Sequence, residues 1–267
     1  MRLGRISYVN MAPLFFRLDA EVTEVTGVPT ELNRKLLDGE IDLAPISSIA
    51  YALHADRLRI LPRVAVSSEG AVDSIQLVSR APLSRIRSVA VTPESATSVV
   101  LVRILLPEAQ HVPLDEPAEA KLLIGDAALQ SMFEDPTPHY DLGRLWQERT
   151  GLPMVYAVFA CPEPPPAGIL EVEEALLDAH RQNRAEPESL ARDASRRYGY
   201  PAGFLARYFE KLRYGFGPRE RAGLLSFFEL ARDAGELEAV PELRFVADAP
   251  PAAPDEIRSL QIGDARS

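Results

Sequence analysis

Small polar residues recur in this sequence at the points where an apolar run ends and an amphipathic stretch begins. Their hydroxyl and amide groups donate hydrogen bonds without carrying a charge. A helix start adds unpaired N–H groups and the positive end of the helix dipole. Together these features predict a site for a small anionic ligand, such as a carboxylate. The candidate residues are Asn10, Ser47, Ser48, Ser74, Ser95, Thr97, Ser98, Gly125 and Asp126.

Each candidate also has a purely structural interpretation. Asn10 suits a helix cap or a turn, and Ser47 and Ser48 are ordinary N-cap residues. The ESATS run fits one extended cap, the GD pair after KLLI fits a turn with a capping Asp, and Ser74 fits the exposed face of a strand. The binding interpretation is favoured because five such places, from both halves of the predicted fold, are expected near one edge.

Strands and helices alternate through the first 160 residues and would position these side chains. Strands are predicted for RLGRISY, DLAPI, SIQLVSR, SVAVT, KLLIG and PMVYAVFA, and helices for PTELNRKLLDGE, SIAYALHA, SVVLVRILLPEA and AALQSMFE. This alternation predicts an α/β protein with largely parallel sheets, whose polar junctions gather at the carboxyl edge, where ligands bind. After Gly168 the pattern changes to four consecutive helices, broken by Gly and Pro.

Two proline-containing stretches suggest that the chain passes twice between domains. They are VSRAPLSRIRSV (78–89) and ACPEPPPAG (160–168). Two crossings predict a two-lobed, hinged binding fold with a cleft between the lobes. We expect a discontinuous first lobe of residues 1–82 and 164–248 with the C-terminal helices, a second lobe of residues 83–163, and an extended Pro/Ala-rich tail over residues 249–267.

The composition argues against several classes of protein. The formal charge of −10 over 267 residues argues against a nucleic-acid partner, which would need a basic face. The first residues form a strand pattern instead of a signal peptide, and no apolar run has the length of a membrane span. A cytoplasmic protein without a membrane partner is therefore expected, and its oligomeric state is not predicted.

The usual signals of catalytic and metal centres are missing. His54, His111, His139 and His180 are scattered without metal-ligand spacing, and there is no G-x-S-x-G, P-loop or G-x-G-x-x-G motif. Cys161, the single cysteine, fits buried packing better than a nucleophile. The residues therefore predict a binding cleft rich in hydroxyl and amide donors, with no metal and no cofactor.

Several segments, taken in order, resemble one known family. They are GRISYVNMAPL, LLDGEIDLAPISSIAYA, GAVDSIQLVSR, SATSVVLVRILL, LLIGDAAL and YDLGRLWQERTGLPMVYAVFA. Across residues 3–235 the chain resembles the chorismate dehydratases of the futalosine route to menaquinone. The resemblance implies a two-lobed fold like that of periplasmic binding proteins, of type II. It also implies a cofactor-independent lyase that removes water from chorismate to give 3-[(1-carboxyvinyl)oxy]benzoate.

The resemblance also implies roles for individual residues. Asn10 and Ser74 would be catalytic, with Asn10 orienting the substrate or holding the departing hydroxyl and Ser74 holding a substrate carboxylate. The base that removes the ring proton would be the enolpyruvyl carboxylate of the substrate itself, or alternatively Asp126, the only carboxylate in the matching motifs. The other expected substrate contacts are Tyr8, Ser47, Ser48, Ser95, Thr97, Ser98, Gly125 and Asp126.

Three other functions are weighed against this one. A sister enzyme of the same route and fold makes 1,4-dihydroxy-6-naphthoate, but it typically opens with an SPCPND-like stretch where this chain has SYVN. A non-catalytic binding protein for small carboxylates would share the fold but would need export. An effector domain of a transcription factor would need a helix-turn-helix segment before the first strand. Turnover of chorismate would separate the dehydratase from all three.

Overall fold

Two groups of paired strands form the framework of the protein, in a computed structural model that describes residues 1–246. The first group contains β1 (Arg2–Ile6), β2 (Thr23–Gly27), β3 (Ala44–Ser47), β4 (Leu58–Ser68), β10 (Met154–Pro162) and β11 (Leu212–Gly215). The second group contains β5 (Ile75–Ser79), β6 (Ser88–Val91), β7 (Gln110–Pro113), β8 (Ala120–Ile124) and β9 (His139–Asp141).

The helices follow the strands in the alternation that the sequence predicts. They are α1 (Ala12–Phe15), α2 (Pro29–Leu37), α3 (Ser48–Leu53), α4 (Ala96–Leu105), α5 (Gly125–Glu134), α6 (Leu142–Thr150), α7 (Ile169–Ala185), α8 (Pro187–Tyr198), α9 (Ala202–Lys211) and α10 (Pro218–Asp233). The four consecutive helices expected after Gly168 are confirmed as α7 to α10. The sequence pattern predicts that the third of these helices spans PAGFLARYFEKLRYG, and this detail was wrong, because LRYG follows the end of α9 and pairs with β4 as strand β11.

The sheets are mixed, which corrects the expectation of largely parallel pairing. The order in the first sheet is β11-β4-β10-β3, and β10 is antiparallel to both of its neighbours. A hydrogen bond from Gly4 N to Leu43 O (2.7 Å) joins the parallel pair β1-β2 to the segment before β3. The second sheet has the order β7-β6-β8-β5-β9, with β6 parallel to β7 and β8 and with β5 antiparallel to β8 and β9.

The longest strand, β4, was missed in the sequence because it contains a proline. Pro62 lies where the register between β4 and β10 shifts, between the pairs Ala65–Val158 and Ile60–Ala160. A residue at such an irregularity need not donate to the ladder, so the proline is tolerated inside the strand.

Strand pairing shows where the chain passes between the two groups. It enters the second sheet between β4 and β5 and returns between β9 and β10, in both cases earlier than the proline-containing stretches at which we expected the crossings. The expected lobe limits at 82/83 and 163/164 remain a prediction, because strand pairing alone does not delimit a lobe. The expected tail, residues 249–267, lies outside the described residues.

Packing of helices against the first sheet forms much of the core. Trp146 of α6 is fully buried, meets the ring of Phe227 of α10 edge-on and donates its indole N–H to Pro153 O. Burial of such large apolar side chains is the main favourable term in folding. Among the described helices, none combines the length and the hydropathy that a membrane crossing requires.

Candidate active site

A cavity lies where the ends of the two strand groups meet, and it gathers most of the polar residues singled out in the sequence. Its lining includes residues after β1, at the end of β3, before β5 and at the starts of α4 and α5. Of the ten expected site residues, seven line the cavity, namely Tyr8, Asn10, Ser47, Ser74, Ser95, Ser98 and Gly125. Their contact with a substrate remains a prediction.

Asn10 presents a side-chain amide that the protein itself does not use. It lies in the 3-10 turn Val9–Met11 after β1, and its backbone carbonyl accepts a hydrogen bond from the buried Tyr214 hydroxyl. No side-chain cap is made at the turn or at α1, and Asn10 Oδ1 is buried without a hydrogen-bond partner among the described residues. The capping interpretation is therefore not supported, and the amide is left to the cavity.

Ser47 and Ser98 each accept a hydrogen bond from the protein and keep their own proton available. Ser47 Oγ accepts from Asn33 Nδ2 (3.0 Å), and Asn33 Oδ1 accepts from the backbone N–H of Ser47 (3.0 Å). Ser98 Oγ accepts from the hydroxyl of Ser95 (2.8 Å), which also caps α4 by accepting from the backbone N–H of Ser98. Both hydroxyls therefore have a fixed oxygen and a proton that can be donated into the cavity.

Ser74 lies in a tight turn directly before β5. Its backbone N–H donates to Val72 O (2.7 Å), whereas its hydroxyl reaches the same carbonyl only at 3.4 Å, the outer limit of a hydrogen bond. Ser74 is 5% exposed and lines the cavity. Its hydroxyl is thus buried, weakly held and available to a ligand.

The structure places three expected contacts outside the cavity lining, where each has a structural role. Ser48 is fully buried and donates its hydroxyl to Val155 O (2.7 Å). Thr97 Oγ1 accepts from the backbone N–H of Ile49 (3.3 Å). Asp126 Oδ1 accepts from the backbone N–H of Val9 (3.0 Å), and burial raises the pKa of this carboxyl. Ser48 donates its hydroxyl proton to the backbone, whereas Thr97 and Asp126 accept from backbone N–H groups, so each side chain helps to hold the fold.

Tyr8 and Gly125 form the contact that joins the segment after β1 to the start of α5. Gly125 has a φ of +55°, and a Cβ atom there would lie 2.6 Å from ring carbons of Tyr8. The Tyr8 hydroxyl donates to Glu94 Oε2 (2.7 Å). Burial and this carboxylate raise the pKa of Tyr8 far above its usual range. Tyr8 therefore offers the cavity a ring face instead of a hydroxyl.

Tyr156 lines the cavity and was not singled out in the sequence. Ser68 Oγ donates to Gly70 O (3.0 Å), so the 2.8 Å contact between the Ser68 and Tyr156 hydroxyls has Tyr156 as its donor. Burial raises the pKa of Tyr156 far above its usual range. The sequence signal was a single polar-tipped aromatic in the apolar strand PMVYAVFA, which could equally mark core packing.

The cavity lining carries no ionisable side chain except the two tyrosines. No Asp, Glu, Lys, Arg or His is among the described residues that line it. The rest of the lining is apolar and includes Ile6, Val72, Ile75 and Leu212. No group of three or more His, Cys, Asp and Glu side chains in residues 1–246 is arranged to hold a metal ion. The arrangement suits a flat, partly apolar molecule whose oxygens accept hydrogen bonds from neutral donors.

Comparison with solved structures identifies the fold. Protein AF1704 from Archaeoglobus fulgidus superposes with a TM-score of 0.74 at 22% identity, over 88% of this chain and 97% of that one. The alkanesulfonate-binding protein SsuA from Xanthomonas axonopodis superposes with a TM-score of 0.66 at 14% identity, over 92% and 96%. At these identities the likeness concerns the fold alone. The protein has the two-lobed, periplasmic-binding-protein-like α/β fold that the sequence predicted.

Sequence comparison identifies the family within that fold. The family model described as menaquinone biosynthesis matches residues 1–233. A chorismate dehydratase from Thermus thermophilus is 37% identical over 256 residues, which cover 85% of this chain and 93% of that protein. A chorismate dehydratase from Campylobacter jejuni is 31% identical over 170 residues, which cover 60% and 67%. This chain belongs to the menaquinone biosynthesis family.

Proposed function

We propose that the protein is a chorismate dehydratase, a hydro-lyase that converts chorismate to 3-[(1-carboxyvinyl)oxy]benzoate in menaquinone biosynthesis by the futalosine route. The two similar proteins named as chorismate dehydratases support this proposal, as does the family to which the chain belongs. We also propose that it acts in the cytoplasm, where a biosynthetic enzyme meets its substrate. Cell fractionation followed by immunoblotting tests that location.

The main structural support for the proposal is an uncharged cavity with unused hydrogen-bond donors. Chorismate is a small dicarboxylate with a flat ring, and carboxylate oxygens accept hydrogen bonds from amides and hydroxyls. Asn10, Ser47, Ser74 and Ser98 supply such donors, and the apolar lining suits the ring. In a cavity from which water is excluded, each of these donors has a stronger effect than it would have in water.

The proposed reaction removes a proton from the ring carbon that bears the ether and hydroxide from the neighbouring carbon. The ring carboxylate acidifies that proton through the conjugated double bond, and the electron pair moves toward this carboxylate. The pair then returns to form the new ring double bond as hydroxide departs. Neutral donors fixed on the ring carboxylate stabilise the charge that develops there, by about 3 kcal/mol per donor.

The enolpyruvyl carboxylate of the substrate is the proposed base. The lining offers no side chain that could serve at neutral pH, since Tyr8 and Tyr156 have raised pKa values and are already donors. The carboxylate takes the ring proton and then passes it to the departing hydroxide, which leaves as water. Neutral donors suit this role, because a guanidinium contact would lower the basicity of the carboxylate.

Asn10 and Ser74 are the proposed catalytic residues. The Asn10 amide can both donate and accept, so it can hold the departing hydroxyl or the enolpyruvyl group in the geometry of elimination. Ser74 would donate to a substrate carboxylate. The alternative base, Asp126, is less well supported because its carboxylate accepts from Val9 N and does not line the cavity.

The experiment that tests the proposal is incubation of the purified protein with chorismate and no added cofactor. We expect mass spectrometry to detect a product lighter by one water, with the absorption spectrum of a benzoate. The matched variants are Asn10→Ala, which removes the unused amide, and Gln110→Ala, which removes an exposed amide of β7.

Loss of product in Asn10→Ala with retention in Gln110→Ala would support the role of Asn10. Unchanged chorismate with the wild-type protein would overturn the dehydratase proposal. Incubation with the cyclic futalosine intermediate would then test for the sister reaction. Binding of chorismate without turnover would identify a carboxylate-binding protein.

A further inference from the structure

The turn that carries Ser74 has an unusual backbone conformation. Ser74 N–H closes the turn on Val72 O at 2.7 Å, and Asp73 between them has a φ of +60°. Among the described residues other than glycine, only Asp73 and Arg17 have positive φ values. Such a conformation costs free energy and persists only where the surrounding structure enforces it.

Asp73 is held by contacts to its backbone and to its side chain. Its N–H donates to Asp141 Oδ2 (2.7 Å), and its carbonyl accepts from Gln76 Nε2 (3.0 Å). Its two carboxylate oxygens accept from Lys211 Nζ at 2.7 and 2.6 Å. The side chain of Asp73 is only 11% exposed, whereas that of Lys211 is 38% exposed, so the carboxylate is buried and the lysine reaches it from the solvent side. Lys211 therefore neutralises a carboxylate that the turn would otherwise bury unpaired.

The same helix brings a second side chain to this turn. Lys211 is the last residue of α9, and Tyr208, one turn earlier, is fully buried. Burial raises the pKa of Tyr208, and the neighbouring hydroxyl of Ser74 opposes this rise. The residue after Lys211, Leu212, lines the cavity itself. The C-terminal end of α9 thus lies against the turn that carries Ser74.

We propose that Lys211 is a positioning residue for the dehydration reaction. Through Asp73 it fixes the left-handed turn that presents the Ser74 hydroxyl to the cavity, and it does so without adding net charge beside the substrate. The proposal rests on the proposed function, because the role of Ser74 depends on the reaction. It extends that function to a residue on a helix far along the chain that does not line the cavity.

The test compares Lys211→Met with Ser74→Ala, alone and combined. A positioning role predicts that Lys211→Met lowers kcat for chorismate about 10- to 100-fold with a smaller change in KM. It also predicts that Lys211→Met has almost no further effect in the Ser74→Ala background, because the group that it positions is gone. Lys211→Arg keeps the charge and should recover most of kcat.

The matched control is Arg219→Met. Arg219 forms an ion pair of the same length, 2.6 Å, with Glu69 near the end of β4, but neither residue lines the cavity. We expect kcat to be unchanged in Arg219→Met alone and its effect to be independent of Ser74→Ala. Equal effects of Lys211→Met in the wild-type and Ser74→Ala backgrounds would overturn the proposal, because they would indicate a general structural role.

Amide hydrogen exchange tests the turn without reference to any substrate. In Lys211→Met the amides of Asp73 and Ser74 should exchange faster than in the wild type, whereas Arg219→Met should leave them unchanged. Unchanged exchange in Lys211→Met would overturn the proposal even if chorismate is turned over. Faster exchange in a protein that does not act on chorismate would support the role of Lys211 in fixing the turn and would count only against the proposed function.

Discussion

The turns after β1 and before β5 differ from the starts of α3 and α4 in how they use their polar side chains. In the two turns, Asn10 Oδ1 is buried without a hydrogen-bond partner within residues 1–246, and the Ser74 hydroxyl makes only a long contact at 3.4 Å. At the helix starts, Ser48 and Thr97 are hydrogen-bonded to backbone groups across the fold. All four residues are of the types that suit an anion site, and only the first two line the cavity.

The two sets of residues therefore have different roles. Polar groups in the turns can bind a ligand, whereas those at the helix starts stabilise the fold. A buried polar group without a partner costs stability, and where such a group lines a cavity, as Asn10 does, a bound molecule can supply the missing partner. A buried hydroxyl that is hydrogen-bonded to the backbone outside the cavity, as at Ser48 and Thr97, stabilises the protein and does not reach the ligand. Substitutions in the turns should therefore change activity more than stability, and substitutions at the helix starts should do the reverse.

The largest effect is expected for Asn10→Asp, which keeps the shape of the side chain and adds a charge to an uncharged cavity. Repulsion of the substrate carboxylates and loss of the amide donor should lower kcat/KM about 10³-fold, and the melting temperature should change little. Steady-state kinetics and thermal unfolding measure the two quantities. Gln110→Glu adds the same charge at an exposed position and should leave both unchanged. Normal activity in Asn10→Asp would exclude contact between this residue and the substrate.

A smaller effect is expected for Gly125→Ala, with Gly151→Ala as its control. Both glycines have positive φ values, +55° and +71°, so each substitution should cost about 1 kcal/mol of unfolding free energy. Only at Gly125 would the new Cβ meet another group, the Tyr8 ring at 2.6 Å, which should cost about 1–3 kcal/mol more. Displacement of Tyr8 should also raise KM. Urea unfolding measures the loss of unfolding free energy, and steady-state kinetics measures KM. Equal losses of unfolding free energy and equal KM values in the two variants would show that the Tyr8 contact is unimportant.

Much of the fold could be predicted from the sequence because local patterns determine it. The alternation of strands and helices and the four C-terminal helices follow from hydrophobic periodicity and from Gly and Pro positions. Pairing direction and the strand β4 could not be predicted, because they depend on contacts with β10, a strand nearly a hundred residues away. The proline in β4 also argued against a strand, because nothing in the local sequence indicates that Pro62 lies at a register shift.

The candidate site could be predicted in its general position but not residue by residue. Motif spacing places Ser47 beside Ser48 and Thr97 beside Ser98 without indicating which member of each pair faces the cavity. That choice depends on distant partners, Asn33 for Ser47 and Ile49 for Thr97. Tyr156 was missed for the same reason, because an aromatic residue in an apolar strand has the same local pattern in a core and in a cavity wall.

Thr97→Val, a substitution at the start of α4, should lower stability more than activity. It removes the acceptor of the Ile49 N–H while keeping the shape, so it should lower the unfolding free energy by about 1–3 kcal/mol. The kinetic constants should stay close to those of the wild type. Thr97→Ser retains the hydroxyl and serves as the control in urea unfolding. A loss of kcat without a loss of stability would instead indicate that Thr97 contacts the substrate.

The smallest effect on activity is expected for Asp126→Asn. The Asn side-chain oxygen can still accept from Val9 N–H, so kcat should remain near the wild-type value, whereas an essential base could not be replaced in this way. Burial raises the pKa of Asp126, so the folded protein holds this proton more tightly than the unfolded chain does. In the wild type, Asp126 therefore makes the folded state lose stability as the pH rises from the ordinary carboxyl pKa through the raised value.

The Asp126→Asn variant should lack this contribution, so its unfolding free energy should depend less on pH across that interval. Urea unfolding at a series of pH values measures the difference, and the kinetics are recorded on the same preparations. Abolished turnover with intact chorismate binding would identify Asp126 as the base. It would contradict the purely structural role given to Asp126 above. Retained turnover would leave the substrate carboxylate as the base, because none of the described residues that line the cavity has a side chain that is basic at neutral pH.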